Sequence, residues 1–458
     1  MRRVTGTFII IGLLSIIMGV LYPAYADENV QKDRYFPDFQ GDTDMKAAEY
    51  PRSFSKRGIQ YGGWIMPVIM DQRNDSESLT TGMIAARLWI KSYLWSNSYI
   101  YLRGKNIFLG VMNQEGYGLD PYSNVVDLDV GFIEISNGQH SLTFTVGRKF
   151  FLLGSGLVMD GRADGIEFSF RTGYINGMFF GAYTGFILKD DNPYGMSDKD
   201  MSEGARRVLA GGTLSTEFYN QTFYVLGMVQ VDFGMEYEDL KSRYDSYYYG
   251  AGINGVLFAR LFYYAEFDYE MGKSILAGTA RRKNIYACAG VFNAYYYFDM
   301  LLNPVIIAQY AFGSGDSSRD NYHSPTGNYE ANDTGFIYFG TFNGGFALRP
   351  LLANLHIIRF GFALSPFDWS DSSYFKRMTL VFKYSYYMKH RASAAINYGN
   401  DALRNNRDVG HGFDFSVRWR IYHDLAAFVN YGLFVPGEAF SPSESNRHFL
   451  MAGTTINF

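Results

Sequence analysis

The residues of this chain that could do chemistry are charged, and they recur at even spacings. Arg87 and Lys91, Arg103 and Lys105, Asp127 and Asp129, Glu167 and Arg171, Glu266, Asp268 and Glu270, and Arg418 and Arg420 each keep the spacing that puts side chains on one face of a strand. Asp232, Arg359, Lys383 and Asp414 stand singly in similar settings. Such ladders act through their field: charges grouped by sign set an ion preference, and interleaved charges largely neutralise one another. The competing reading is that they only solvate a water-filled interior.

Catalytic chemistry is poorly served. The histidines at 140, 323, 356, 390, 411, 423 and 448 show no His-Glu-x-x-His or paired-ligand spacing, and Gly154-Ser-Gly lacks the spacing of a nucleophile elbow. No catalytic residue is assigned, and the chain is not expected to be an enzyme. Asp316, Asp320 and Asp333 share one polar connection and could offer oxygen ligands to Ca²⁺; a solvated acidic loop is the competing reading, and no metal or cofactor is assigned. The single Cys288, between Ala287 and Ala289, excludes an internal disulfide framework and haem attachment, and reads as packed.

The charged positions sit in alternating segments. Ile84, Ala86, Leu88 and Ile90 oppose Arg87, Trp89 and Lys91; Val126, Leu128 and Val130 oppose Asp127 and Asp129. Ile166, Phe168 and Phe170 oppose Glu167 and Arg171; Val229, Val231 and Phe233 oppose Gln230 and Asp232. Phe267, Tyr269 and Met271 oppose Glu266, Asp268 and Glu270; Leu380, Phe382 and Tyr384 oppose Lys383 and Ser385. Phe413, Phe415, Val417 and Trp419 oppose Asp414, Arg418 and Arg420. A soluble sandwich alternates as well, but the two ends of the chain point to a membrane barrel. The last residues, His448 to Phe458, put Leu450, Ala452, Thr454, Ile456 and Phe458 on one face, and a bare half-apolar edge invites aggregation unless it pairs with the first strand.

The amino terminus carries Arg2 and Arg3, an apolar stretch from Phe8 to Leu21, and Ala24-Tyr25-Ala26, the form of a signal peptide cleaved after Ala26. No later stretch approaches the roughly 18 to 20 apolar residues of a membrane helix. Aromatic residues make up 18% of the chain, with 38 Tyr, 39 Phe and 49 Gly, a composition of short twisted strands with aromatic girdles. Without residues 1–26 the chain has 39 Lys and Arg against 45 Asp and Glu, which argues against a nucleic-acid partner.

The expected fold is all-β: a transmembrane antiparallel up-and-down β-barrel of about 18 strands (16–20), with long extracellular loops and short periplasmic turns. Residues 1–26 are the signal peptide, 27–57 a polar periplasmic leader, and 58–458 the barrel. Long connections are expected at 113–124, 189–204, 236–246, 314–334, 400–409 and 436–447, and the run Gly335–Leu348 reads as a strand or a loop.

One hairpin stands out. Val146-Gly-Arg148-Lys-Phe-Phe-Leu-Leu-Gly-Ser-Gly-Leu-Val-Met-Asp-Gly-Arg162-Ala-Asp164-Gly leads to Glu167. Leu142, Phe144 and Val146 place Arg148 on the outward parity, so it must sit at a strand end or behind a bulge. Either the hairpin folds over the pore with Arg148 and Arg162 at the constriction, or Arg162 and Asp164 pair within a turn.

This segment resembles the alginate-export family of outer-membrane porins, in which Gly-Arg leads through a glycine-rich turn to a second Arg and Asp-Gly. Tyr310-Ala-Phe-Gly-Ser-Gly-Asp316 with the downstream Tyr338-Phe-Gly, and Gly412-Phe-Asp-Phe through Tyr431-Gly-Leu-Phe-Val-Pro-Gly437, are similar to two further pieces of that family. The resemblance implies an 18-stranded barrel with a charged lumen. On that reading the chain is a porin-like channel of the outer membrane passing a small solute or an anionic polysaccharide by diffusion. Arg87, Lys91, Arg103, Arg148, Arg162, Asp164, Glu167, Arg171, Glu266, Asp268, Glu270, Arg359, Lys383, Arg418 and Arg420 would line the pore. Expected partners are outer-membrane lipid and lipopolysaccharide, and the barrel assembly machinery reading Phe458. Two other classes stay open: a sheath around a partner such as a multihaem cytochrome, and a hydrolase with a site at the rim.

Overall fold

The computed structural model describes residues 58–458 apart from 96, 138–140, 185–204, 234, 238–239, 277–280, 320–321, 323–325, 329–330, 373 and 397–401. The signal peptide and leader expected at 1–57 lie outside the described residues.

Alternation of apolar and polar side chains over 9 to 18 residues at a time gives the strands of a closed wall. They are β1 (Ile59–Arg73), β2 (Ser78–Trp95), β3 (Ser98–Glu115), β4 (Tyr122–Ser136), β5 (Leu142–Leu153) and β6 (Met159–Arg171). Next come β7 (Ile175–Tyr183), β8 (Arg207–Phe218), β9 (Gln221–Asp232), β10 (Asp245–Leu257), β11 (Leu261–Leu276) and β12 (Arg282–Tyr297). The last six are β13 (Val305–Gly313), β14 (Leu355–Leu364), β15 (Met378–Lys389), β16 (Asp408–Arg420), β17 (Leu425–Pro436) and β18 (Arg447–Asn457). Each pairs antiparallel with its chain neighbours, and β18 closes the ring on β1. Closure runs from Arg73↔His448 to Trp64↔Asn457, and beyond it Gly63 and Phe458 exchange both backbone hydrogen bonds at 3.0 Å. Among the described residues the 18-strand ring has no open edge, which is how a barrel satisfies its backbone in lipid.

Most connections at the end bearing Ile59 and Phe458 are short, such as 172–174, 219–220 and 258–260, the exception being 365–377. The opposite end carries 184–206, 233–244, 390–407, 437–446 and the longest, 314–354. The asymmetry agrees with expectation. Outward positions form an apolar band, including Ile69, Leu88, Val126, Ile166, Val225, Phe267, Ile306 and Phe360, all exposed. Trp95, Tyr174, Tyr219, Phe258, Trp369 and Tyr422 ring the short-turn end as an aromatic girdle.

Two positions depart from simple alternation. Val130, expected outward with Val126, is 1% exposed against 73% for Val126. The register slips between Arg103↔Val130 and Gly104↔Leu128, so Asp129 is the extra residue of a bulge and Val130 turns inward with Phe132. On β5 the outward parity of Phe144 and Val146 ends at Gly147, whose φ of +131° is open to glycine; an added Cβ would stand 2.3 Å from the Gly131 carbonyl oxygen. Arg148 follows it and is buried.

Gly335–Leu348 is a loop. It belongs to the 314–354 connection, which is twenty residues longer than the 314–334 expected from sequence because the apolar run Phe336–Leu352 turns into the barrel rather than joining the wall.

Candidate functional site

The wall from β2 to β6 gathers a basic cluster on its lumen face. Arg87 and Arg103 both donate through Nε to Asp129 Oδ2, at 2.9 and 2.7 Å. Arg162 donates through Nη1 to Asp129 Oδ1 at 2.6 Å and lies 3.3 Å from Asp127. Arg148 makes a two-pronged pair with Asp164, Nε–Oδ1 and Nη2–Oδ2 each 2.8 Å, and reaches the Leu128 carbonyl and Asp127. Lys105 Nζ stands 3.9 Å from Asp127. Five cations thus share three carboxylates; Asp129 is the extra residue of the β4 bulge, and Arg148 joins the group directly after the Gly147 distortion. Arg87 and Arg103 also flank the Trp64 ring, each 5.4 Å from its centroid.

The reading of Arg162 and Asp164 as a pair within a turn does not hold. Arg162 and Asp164 do not pair with each other; each finds its partner across strands, because both sit inside β6 and not in a turn. Nor do the arginines ride over the pore. The hairpin tip does: Ser155 donates its backbone N–H (2.8 Å) and hydroxyl to Glu266 on β11.

The acidic ladder of β11 is therefore an anchor. Glu266 also accepts from Tyr224 at 2.6 Å. Glu270 accepts from the Tyr244 hydroxyl and from the Ile337 N–H at 2.9 Å, and the Tyr248 hydroxyl lies within hydrogen-bond distance of both Glu270 (3.0 Å) and the Ile337 carbonyl (2.7 Å). Asp268 lies between them, buried, opposite Gly250. From Ile337 the 314–354 connection continues across the lumen. Phe339 and Thr341 bond to Val158 and Gly156 of the hairpin tip at 3.0 Å, and a Cβ on Gly340 would meet Gly156 O at 1.8 Å. Thr341 donates to Asp160, Phe346 N–H to Asp414, and Tyr387 to the Gly344 carbonyl. Arg349 ends over the Phe449 ring, 3.7 Å from its centroid. Two inward segments, 154–158 and 333–349, thus span the bore from β12 to β18.

Arg359, Lys383 and Arg418 form a second basic group with Asp414 around a small cavity of about 20 Å³ beside Asn343 and Phe346. Arg359 is held by Ser385, Gln309 and the Asn343 carbonyl. Lys149 and Glu167 pair at 2.7 Å on the lumen parity of β5 and β6. Lys91 lies over the Tyr99 ring, 3.7 Å from its centroid, near the short-turn end. Arg171 and Arg420 close their strands at that same end, apart from the cluster. The sequence did not single out Tyr224, Tyr244, Tyr248 or Ser155, though tyrosines on lumen parity beside a triple carboxylate were the available signal.

The acidic-loop readings also change. Asp333 is buried against Arg319 at 2.6 Å, and Asp316 accepts from the Ser318 and Thr334 N–H groups, so these are loop-building groups and not solvated ones; Asp320 lies outside the described residues. Among the described residues no group of three or more His, Cys, Asp or Glu could hold a metal ion. Cys288 is half-buried, its N–H bonded to Ser314.

Residues 238–451 match the family described as alginate export. Over that span the chain is similar to the alginate-export family. Two of the three segments that carry the resemblance, Tyr310–Tyr338 and Gly412–Gly437, fall in that span, and the Arg148–Asp164 hairpin lies before it. No curated protein matches the sequence. The fold is similar to that of Pseudomonas aeruginosa OccK8 (OprE), with a TM-score of 0.55, 8% identity and coverage of 87% of this chain and 98% of that one. Acinetobacter baumannii OccAB1 gives 0.55, 8%, 87% and 97%, and Pseudomonas aeruginosa OccK11 (OpdR) gives 0.51, 11%, 89% and 100%. What these structures share with the chain is the closed antiparallel β-barrel.

Proposed function

We propose that the channel selects small solutes bearing carboxylate or another anionic group. The observation that carries this is the β2–β6 cluster, where Arg87, Arg103, Lys105, Arg148 and Arg162 outnumber Asp127, Asp129 and Asp164. Excess positive charge on a low-dielectric wall raises the local concentration of anions. The carboxylates of β11 lie elsewhere on the ring, where Ser155, the tyrosines and Ile337 engage them and they hold the inward segments. Those segments narrow the bore to small cargo in the state described.

Proteoliposome swelling tests the reading. Gluconate should enter faster than neutral sugars of its size, and lysine slower than both; equal rates for the three would remove the anion preference. The match of residues 238–451 supports a second cargo, an anionic polysaccharide, which would require the inward segments to move aside. Release of trapped oligouronates from the same vesicles distinguishes the two. A sheath around a folded partner would need the bore that 154–158 and 333–349 cross.

A further inference from the structure

The outward face near the long-loop end repeats one arrangement on alternate strand pairs. Tyr310 on β13 meets His356 on β14, Tyr384 on β15 meets His411 on β16, and Tyr431 on β17 meets His448 on β18. Each tyrosine oxygen lies 2.8, 2.8 and 2.9 Å from Nδ1 of its histidine. The histidines share their faces with the exposed Ile358, Phe415 and Leu450, so they look outward, and each stands within four residues of its strand's long-loop end. With Nδ1 engaged by the hydroxyl, Nε2 is the nitrogen left, and it makes no hydrogen bond among the described residues.

Cations collect around the first pair. His390, directly after β15, sets its ring centroid 5.6 Å from that of His356. Arg391 follows it, and the Arg407 carbonyl accepts the Lys389 N–H, bringing Arg407 beside the same corner. Both arginines are exposed and form no ion pair among the described residues. Burial together with Arg391, His356 and Arg407 pushes the His390 imidazole down to about 4. Of the carboxylates along this rim, Glu444 pairs with Arg447, Glu438 accepts from the Asn406 amide, and Asp408 accepts from the Glu438 N–H. Like charges crowded on an exposed surface are stabilised by an anion seated among them.

We propose that this rim, from Tyr310 to His448 with Arg391 and Arg407 at its centre, binds the phosphorylated headgroup of the outer-leaflet glycolipid. The apolar band below it, Ile306, Ile358 and Phe360, takes the acyl chains. Neutral histidines donate through Nε2–H and the arginines through their guanidinium groups, and phosphate oxygens accept.

The test is native mass spectrometry of the purified full-length barrel with lipid A, with dephosphorylated lipid A, and with lipid A plus inorganic phosphate. Lipid A should be retained about tenfold better than its dephosphorylated form, as lost charge-assisted hydrogen bonds imply. R391Q/R407Q should lose most of that difference while staying heat-modifiable, and H356Q should lose part of it. Equal retention of the two lipids, or a folded double variant that keeps the full difference, overturns the proposal. Displacement of lipid A by equimolar inorganic phosphate overturns it too, since the site would then be one for free phosphate.

Discussion

Arg162 sets its Nη1 2.6 Å from Asp129 Oδ1, 33 residues back along the chain, and Asp129 is the residue that a bulge adds to β4. Asp129 lies between Arg87 and Arg103, both of which donate to its other oxygen. One carboxylate thereby holds three guanidinium groups drawn from β2, β3 and β6, and the charge that remains over them is the channel's proposed selectivity element.

Asp129→Asn should cost the barrel much of its stability, because three buried cations lose their common counter-ion. Breaking a buried ion pair costs about 3–5 kcal/mol. The urea midpoint for loss of the heat-modifiable form should fall clearly below that of the parent. An unchanged midpoint would mean that the arginines are solvated and the network is incidental.

Closure gives a second expectation. Phe458 trades both backbone hydrogen bonds with Gly63 and points its ring outward, whereas Asn457 sits on the lumen parity. Deleting Phe458, or Phe458→Ser, should lower the yield of inserted barrel far more than Asn457→Ala. Equal yields would contradict the register.

The inward segments predict a conductance change. Replacing Ile337–Phe346 by a short Gly-Ser linker removes the bonds to Glu270, Asp414 and the hairpin tip. Single-channel conductance should rise several-fold as the bore widens. Glu270→Gln should give a smaller, noisier increase, since it weakens only one pin. Conductance equal to the parent in the linker variant would show that 333–349 does not limit flow.

Targeting is open to direct sequencing. The mature chain should begin at Asp27, as Ala24 and Ala26 suit the −3 and −1 positions. A start well before Asp27 in the outer-membrane fraction would rule this out.

Much of the wall was legible because period-two alternation is a direct consequence of strand geometry, and so Glu266, Asp268 and Glu270 could be placed on the lumen face from spacing alone. Val130 was not, since a bulge shifts the parity by one without a distinct local signal. The outward parity of Arg148, in contrast, already required a strand end or a bulge, and the positive-φ Gly147 supplies the distortion. The partners of Arg162 and the destination of Ser155 depend on which strands the closed ring brings face to face. The run Gly335–Leu348 was ambiguous for another reason. A segment buried inside a barrel is as apolar as a strand, and its anchors, Glu270 and Asp414, lie far away in sequence.

Reversal potential in a planar bilayer under a salt gradient tests the central claim most directly. The wild-type channel should reverse on the anion side. R87Q/R103Q/R162Q, recovered as folded barrel, should move towards cations, by an amount that shrinks as salt screens the wall over about 10 Å at 0.1 M. A folded, conducting triple variant whose reversal potential at low salt equals that of the wild type would contradict the account.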